Sequence, residues 1–172
     1  MSFLARLFND RTERQALRPL YDAVVAEGRA PDWYRDAGVP DTMTGRFDTV
    51  SSVLAMVLLR LEREGEAAQR ESILLTEVFI DDMDANLRES GTGDLVVGKR
   101  IGKLMGLLGG RLGAYRDALA GEGDFEASVR RNMYRDAPPS PEAVEVAAGR
   151  LRALHAGLAE VPMGRLIEGH LQ

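Results

Sequence analysis

The stretch FIDDMDANLRESGTGDLVVGK, from Phe79 to Lys99, gathers more potential ligands than any other part of the chain. Asp82, Asp84 and Asn86 stand at the spacing of the first three oxygen ligands of an EF-hand loop. Such a loop needs glycine at its sixth position and a bidentate glutamate at its twelfth, where this chain has Leu87 and Gly93. Turn and main ligand are both missing, so calcium binding of that type is excluded. Gly93 to Lys99 also spells G-x-x-x-x-G-K, but Arg100 stands where a magnesium-holding hydroxyl belongs. An acidic helical pattern precedes it instead of the buried strand that a phosphate loop follows. A third chemistry would use Asp81, Asp82 and Asp84 to hold Mg2+ in a helical enzyme or lipid-binding protein. That arrangement normally needs two facing acidic motifs, and the chain has one; it stays open as the alternative.

Ion pairing fits the same residues better. Asp84 precedes Arg88 by four, the favourable order on a helix. The acidic segment then runs into a basic one with Lys99, Arg100, Lys103 and Arg111. Exposed pairs contribute only about 0–1 kcal/mol each. So much charge in neighbouring segments therefore suits the orientation of a partner more than the holding of a fold.

The elements that must position these residues are helical. Pro19 opens a helix that Gly28 closes, with Leu20, Tyr21, Val24 and Val25 as its buried stripe. APDWYRDAGVPDTMTGRF reads as a loop, unusual in carrying Trp33, Tyr34 and Phe47. Asp48 or Thr49 is the expected cap of a helix reaching Glu64. A further helix covers about Arg70 to Ser90, on the stripe Leu75, Phe79, Met83 and Leu87. From Leu95 to Gly121 helical spacing returns, with Asp94 as its expected cap.

Along that last helix Gly98, Gly102, Gly106 and Gly110 recur at i+4. Each interior glycine costs about 0.5–1 kcal/mol against alanine, so a neighbouring helix is expected to approach closely there, first of all one of this chain and otherwise a partner's. Asp124 caps a short basic helix, and Ser140 with Pro141 starts another that Pro162 ends. At the start Phe3, Leu4, Leu7 and Phe8 share one face of a short helix over residues 1–11, expected to dock on the core or to touch a membrane surface. No segment alternates with period two. The expectation is an all-α, single compact domain over 1–172, of about six or seven helices.

Composition narrows the classes. A net charge of -5 opposes a dedicated nucleic-acid binder. With no cysteine, thiolate chemistry and disulfides are ruled out, and the two histidines lack metal-ligand spacing. No apolar run spans a membrane and no signal peptide is evident. A cytoplasmic protein with no cofactor is expected.

Three blocks, DWYRDAGVPDTMTGRFD, FIDDMDANLRESGTGDLVVGKRIGKLM and GRLGAYRDAL, occur in this order. Their order and spacing resemble the ubiquinol–cytochrome c chaperone family over about residues 31–119. The resemblance implies an all-helical, non-enzymatic assembly factor for the respiratory complex III, with newly made cytochrome b as client. It also implies work near the ribosome with a small assembly partner, and a peripheral place at the inner membrane. The absence of a targeting segment fits a bacterial member. Gly102, Gly106 and Gly109 exceed the family's usual glycine content.

No catalytic residue follows from the resemblance. The expected partner-binding residues are Trp33, Tyr34, Arg46, Phe47, Asp82, Asp84, Arg88, Glu89, Asp94, Lys99, Arg111 and Tyr115. Trp33, Tyr34 and Phe47 are expected to line an exposed groove with the helix after Asp94. Phe3, Leu4, Leu7 and Phe8 are the expected membrane-surface residues.

Overall fold

Among the described residues, helical periodicity with glycine and proline at the joints folds into eight bounded α-helices, with a further helical stretch at 12–16, and no strand occurs. The computed structural model describes residues 12–89, 94–135 and 137–172, with backbone only over 94–96. The helices are α1 (Arg18–Gly28), α2 (Asp32–Arg35), α3 (Met43–Glu62), α4 (Gln69–Glu89), α5 (Asp94–Leu119), α6 (Phe125–Met133), α7 (Pro141–Glu160) and α8 (Met163–Ile167). The expected count was six or seven. The excess comes from very short helices, above all α2, which forms inside the segment read as a loop.

α3 is the axis of the fold. It packs against α1, α4, α5, α6 and α7, and every residue from Asp48 to Leu61 is buried. A helix apolar nearly all round must lie inside. Its start is earlier than expected. Thr42, not Asp48 or Thr49, caps it, the Thr42 hydroxyl accepting from the Gly45 N–H at 3.0 Å. Gly45 is required there, because a Cβ would lie 1.9 Å from the Pro40 carbonyl oxygen. Gly28 allows α1 to meet α3 closely: a Cβ would come within 2.7 Å of Val50 Cα.

Asp124 and Ser140 cap α6 and α7 as their positions imply, accepting from the N–H groups of Ala127 and Ala143. The buried Arg60 donates to the Leu158 and Val161 carbonyls at the end of α7, where a cation meets the negative end of the helix dipole. One hydrophobic cluster runs from Leu17 through α3 to Leu166. Phe3, Leu4, Leu7 and Phe8 lie outside the described residues, as do Gly91 and Gly93.

Candidate functional site

The acidic segment is the last part of α4, and its carboxylates turn to different partners. Asp81 takes a hydrogen bond from Arg14 at 3.0 Å, Asp82 one from the Tyr21 hydroxyl at 2.9 Å, and Asp84 pairs with Arg88 at 2.7 Å. Burial first, and the Asp82 charge next, push the Tyr21 phenol far above its usual range. Asp81 and Asp82 thus tie α4 to the residues before and within α1. No group of three metal-ligating side chains occurs among the described residues. Asp82 and Asp84 are half-buried, and Arg88 and Glu89 are exposed.

α4 and α5 pack on one another, and their burial fades towards the end where α4 finishes and α5 begins. On α4, Leu75 and Phe79 are buried, whereas Met83 and Leu87 are half-buried. On α5, Leu108, Arg111 and Tyr115 are buried on one side. Leu104 and Ile101, one and two turns before Leu108 on that side, are only half-buried and stand outside the core cluster. Val97 is buried yet likewise outside it. Between buried Val97 and buried Leu108, the apolar side of α5 is therefore only partly covered. Lys99 and Lys103 are exposed beside it.

The glycine strip departs from expectation. At Gly98, Gly102, Gly106 and Gly110 an added Cβ would meet nothing within 4 Å. No helix among the described residues lies against the strip, because α5 presents Leu108, Arg111 and Tyr115 to the core from its other side.

The aromatic groove does not form. Trp33 is fully buried; its indole N–H donates to the Glu27 carbonyl at 2.9 Å, and the Arg150 guanidinium covers its ring at 4.5 Å. Phe47 is half-buried, with its ring 6.1 Å from that of Phe79 and Arg111 above it. A tryptophan on a one-turn helix between two prolines looks like a loop residue in sequence; here α2 folds inward and takes it into the core.

Arg111 and Tyr115 are also interior. Arg111 pairs with the buried Asp48 at 2.8 Å and donates to Ser51 Oγ and, at 2.6 Å, to the Asn132 carbonyl. Arg135 closes the same carboxylate from outside, at 2.7 and 2.8 Å. Ser52 and the Tyr115 hydroxyl share a hydrogen bond of 3.0 Å. Burial pushes the Tyr115 phenol up. The cluster joins α3, α5 and α6, and its side chains do not reach the surface at Asp48, Arg111 or Tyr115. Asp48 and Arg135 were not anticipated. The available signal was Asp48, Ser51 and Ser52 on one side of an otherwise apolar helix.

Tyr34 and Arg46 lie elsewhere, in a cleft of about 540 Å3 with Arg29, Pro31, Arg35 and Asp41. The side chain of Asp94 lies outside the description. No helix among the described residues is long and apolar enough to cross a membrane.

The comparisons with known proteins agree with the helical layout. The family model described as ubiquinol–cytochrome c chaperone matches residues 35–172. A crystal structure of the Cbp3 homolog from Brucella abortus superposes with a TM-score of 0.77 at 29% identity, covering 97% of this chain and 94% of that one. No curated protein matches.

Proposed function

Because the chain belongs to the ubiquinol–cytochrome c chaperone family, we propose that it assists assembly of complex III by holding newly made cytochrome b. It acts by binding, without chemistry of its own, at the cytoplasmic face of the inner membrane where that client inserts. The observation that carries this reading is the half-covered apolar face of the α4–α5 pair at Met83, Leu87, Ile101 and Leu104. Ile101 and Leu104 continue the core-facing side of α5 beyond the core, and an apolar client segment laid there completes their burial. Finishing the burial of a half-covered leucine or isoleucine contributes about 1 kcal/mol each.

The charges around this face set orientation and encounter rate more than affinity. The paired Asp84 and Arg88, with Asp82 and Glu89, mark one edge, and Lys99 marks the other. Trp33, Arg111 and Tyr115, being buried, act only by holding the fold.

Co-purification with tagged cytochrome b tests this. An Ile101→Asp, Leu104→Asp variant is expected to lose most of the recovered client while its melting temperature stays near that of the parent. Undiminished recovery by a folded variant would refute this capture face, and no recovery by the parent chain would refute the client.

A further inference from the structure

The cleft holding Tyr34 and Arg46 lies among the end of α1, α2 and the start of α3, and plays no part in the reading above. Its walls are Arg29, Pro31, Tyr34, Arg35, Asp41 and Arg46. The three guanidinium groups differ in what they have left to give. Arg35 is committed, donating to Asp36 through Nε and Nη2 and to Asp32 through Nη2. Arg46 gives Nε to Asp41 at 2.6 Å and has no partner for its Nη groups among the described residues. Arg29 has neither ion pair nor side-chain hydrogen bond among the described residues.

Tyr34 forms a fixed wall of the cleft that these donors line. Its hydroxyl donates to the Gly28 carbonyl at 2.8 Å, which holds the half-buried ring in one orientation. Arg29 and Arg46 line the same cleft as this ring. The chain as a whole is acidic, at -5, which makes a cleft holding, among the described residues, Arg29 without an ion pair and Arg46 with open Nη groups a local exception.

Guanidinium forks match carboxylates and phosphates. A bare inorganic anion would fill a small part of 540 Å3, whereas Pro31 and the Tyr34 ring offer apolar surface to whatever carries the charge. We infer that this cleft receives an acidic peptide segment of a partner protein. Arg29 and the Arg46 Nη groups take one carboxylate, and Tyr34 and Pro31 support the adjoining chain. The inference stands apart from the cytochrome b reading, since neither the surface nor the test uses that client.

The test is a nitrogen-15 NMR titration of the full chain with two blocked peptides, Leu-Glu-Leu-Glu-Leu and its Gln-for-Glu twin. Inorganic phosphate is the third arm. Saturable shifts at the Arg29 and Arg46 side-chain Nε–H and the Tyr34 amide are expected with the acidic peptide only. They should weaken as salt is raised. Arg29→Glu, at an exposed position without partners, should keep the parent spectrum elsewhere and weaken binding about tenfold or more, as losing a charge-assisted hydrogen bond does. Equal response to both peptides, shifts confined to other parts of the surface, no saturable shift, or full binding by Arg29→Glu would each overturn the inference. Saturation by phosphate without any response to the acidic peptide would also overturn it, in favour of a small anion.

Discussion

The two halves of α5 carry similar residues to opposite ends. Towards its C-terminal end Arg111 and Tyr115 are sealed between α3 and α6, and Arg111 shares the Asp48 carboxylate with Arg135. Towards its N-terminal end Lys99 and Lys103 stand in solvent beside half-covered Ile101 and Leu104. One helix thus has a half that holds the fold together and a half that the fold leaves open. What separates them is a further layer: α3 and α6 cover the first half through Asp48, Ser52 and Asn132, while Ile101 and Leu104 of the second stand outside the core cluster. A cation in a helix becomes structural or available according to what lies over it.

The comparison breaks most readily at the sealed half. Arg111→Ala removes one partner of a buried carboxylate, and such losses cost about 3–5 kcal/mol. A large drop in the urea midpoint is expected, and an apolar Asp48→Leu, Arg111→Met double variant should recover part of it. A midpoint unchanged by Arg111→Ala would mean that the pair is not sealed. Trp33→Ala should cost about as much, about 3–5 kcal/mol for emptying a buried aromatic site. A thermal melt checks it, and a stable variant would return Trp33 to the surface.

The open half predicts the reverse sign. Gly102→Ala and Gly106→Ala meet no neighbour, so each should stabilise the chain by about 0.5–1 kcal/mol. A loss in chemical denaturation would reveal something packed on that strip. Smaller again is a pH effect at half-buried His155, which burial and the charge of Arg63 hold below its usual 6.5. The unfolded chain takes that proton more readily. The contribution is therefore complete above pH 6.5 and declines as the pH falls through the folded value. Glu62 and Arg116, which line the same groove, are paired with each other. His155→Gln should flatten that part of the stability profile. Least of all, Lys99→Glu with Lys103→Glu should move stability by about 0.5 kcal/mol or less while reducing cytochrome b recovery.

Legibility followed the range of the signal. Caps, closing glycines and stripes are local, and Asp124, Ser140, Pro141 and the Asp84–Arg88 pair appear where their neighbours require. The α3 start was misjudged because Asp48 resembles a cap when only its sequence neighbours are considered. Its partners Arg111 and Arg135 are 63 and 87 residues away. Trp33 was misplaced for the same reason: a segment rich in proline and glycine reads as exposed until α1 and α7 close over it.

What the chain determined by itself is its helical class, most of its element boundaries apart from α2 and the start of α3, the exclusion of an EF-hand and a phosphate loop, and the motifs of its family. These depend on residue type and on spacing within a turn or two. Burial was decided only by the packing of helices on α3. That packing turned Trp33, Arg111 and Tyr115 inward, left the glycine strip without a neighbour among the described residues, and brought Arg29 and Arg46 to one cleft. Such outcomes depend on which surfaces meet across the fold, and no local pattern encodes which face of an amphipathic helix finds a third layer.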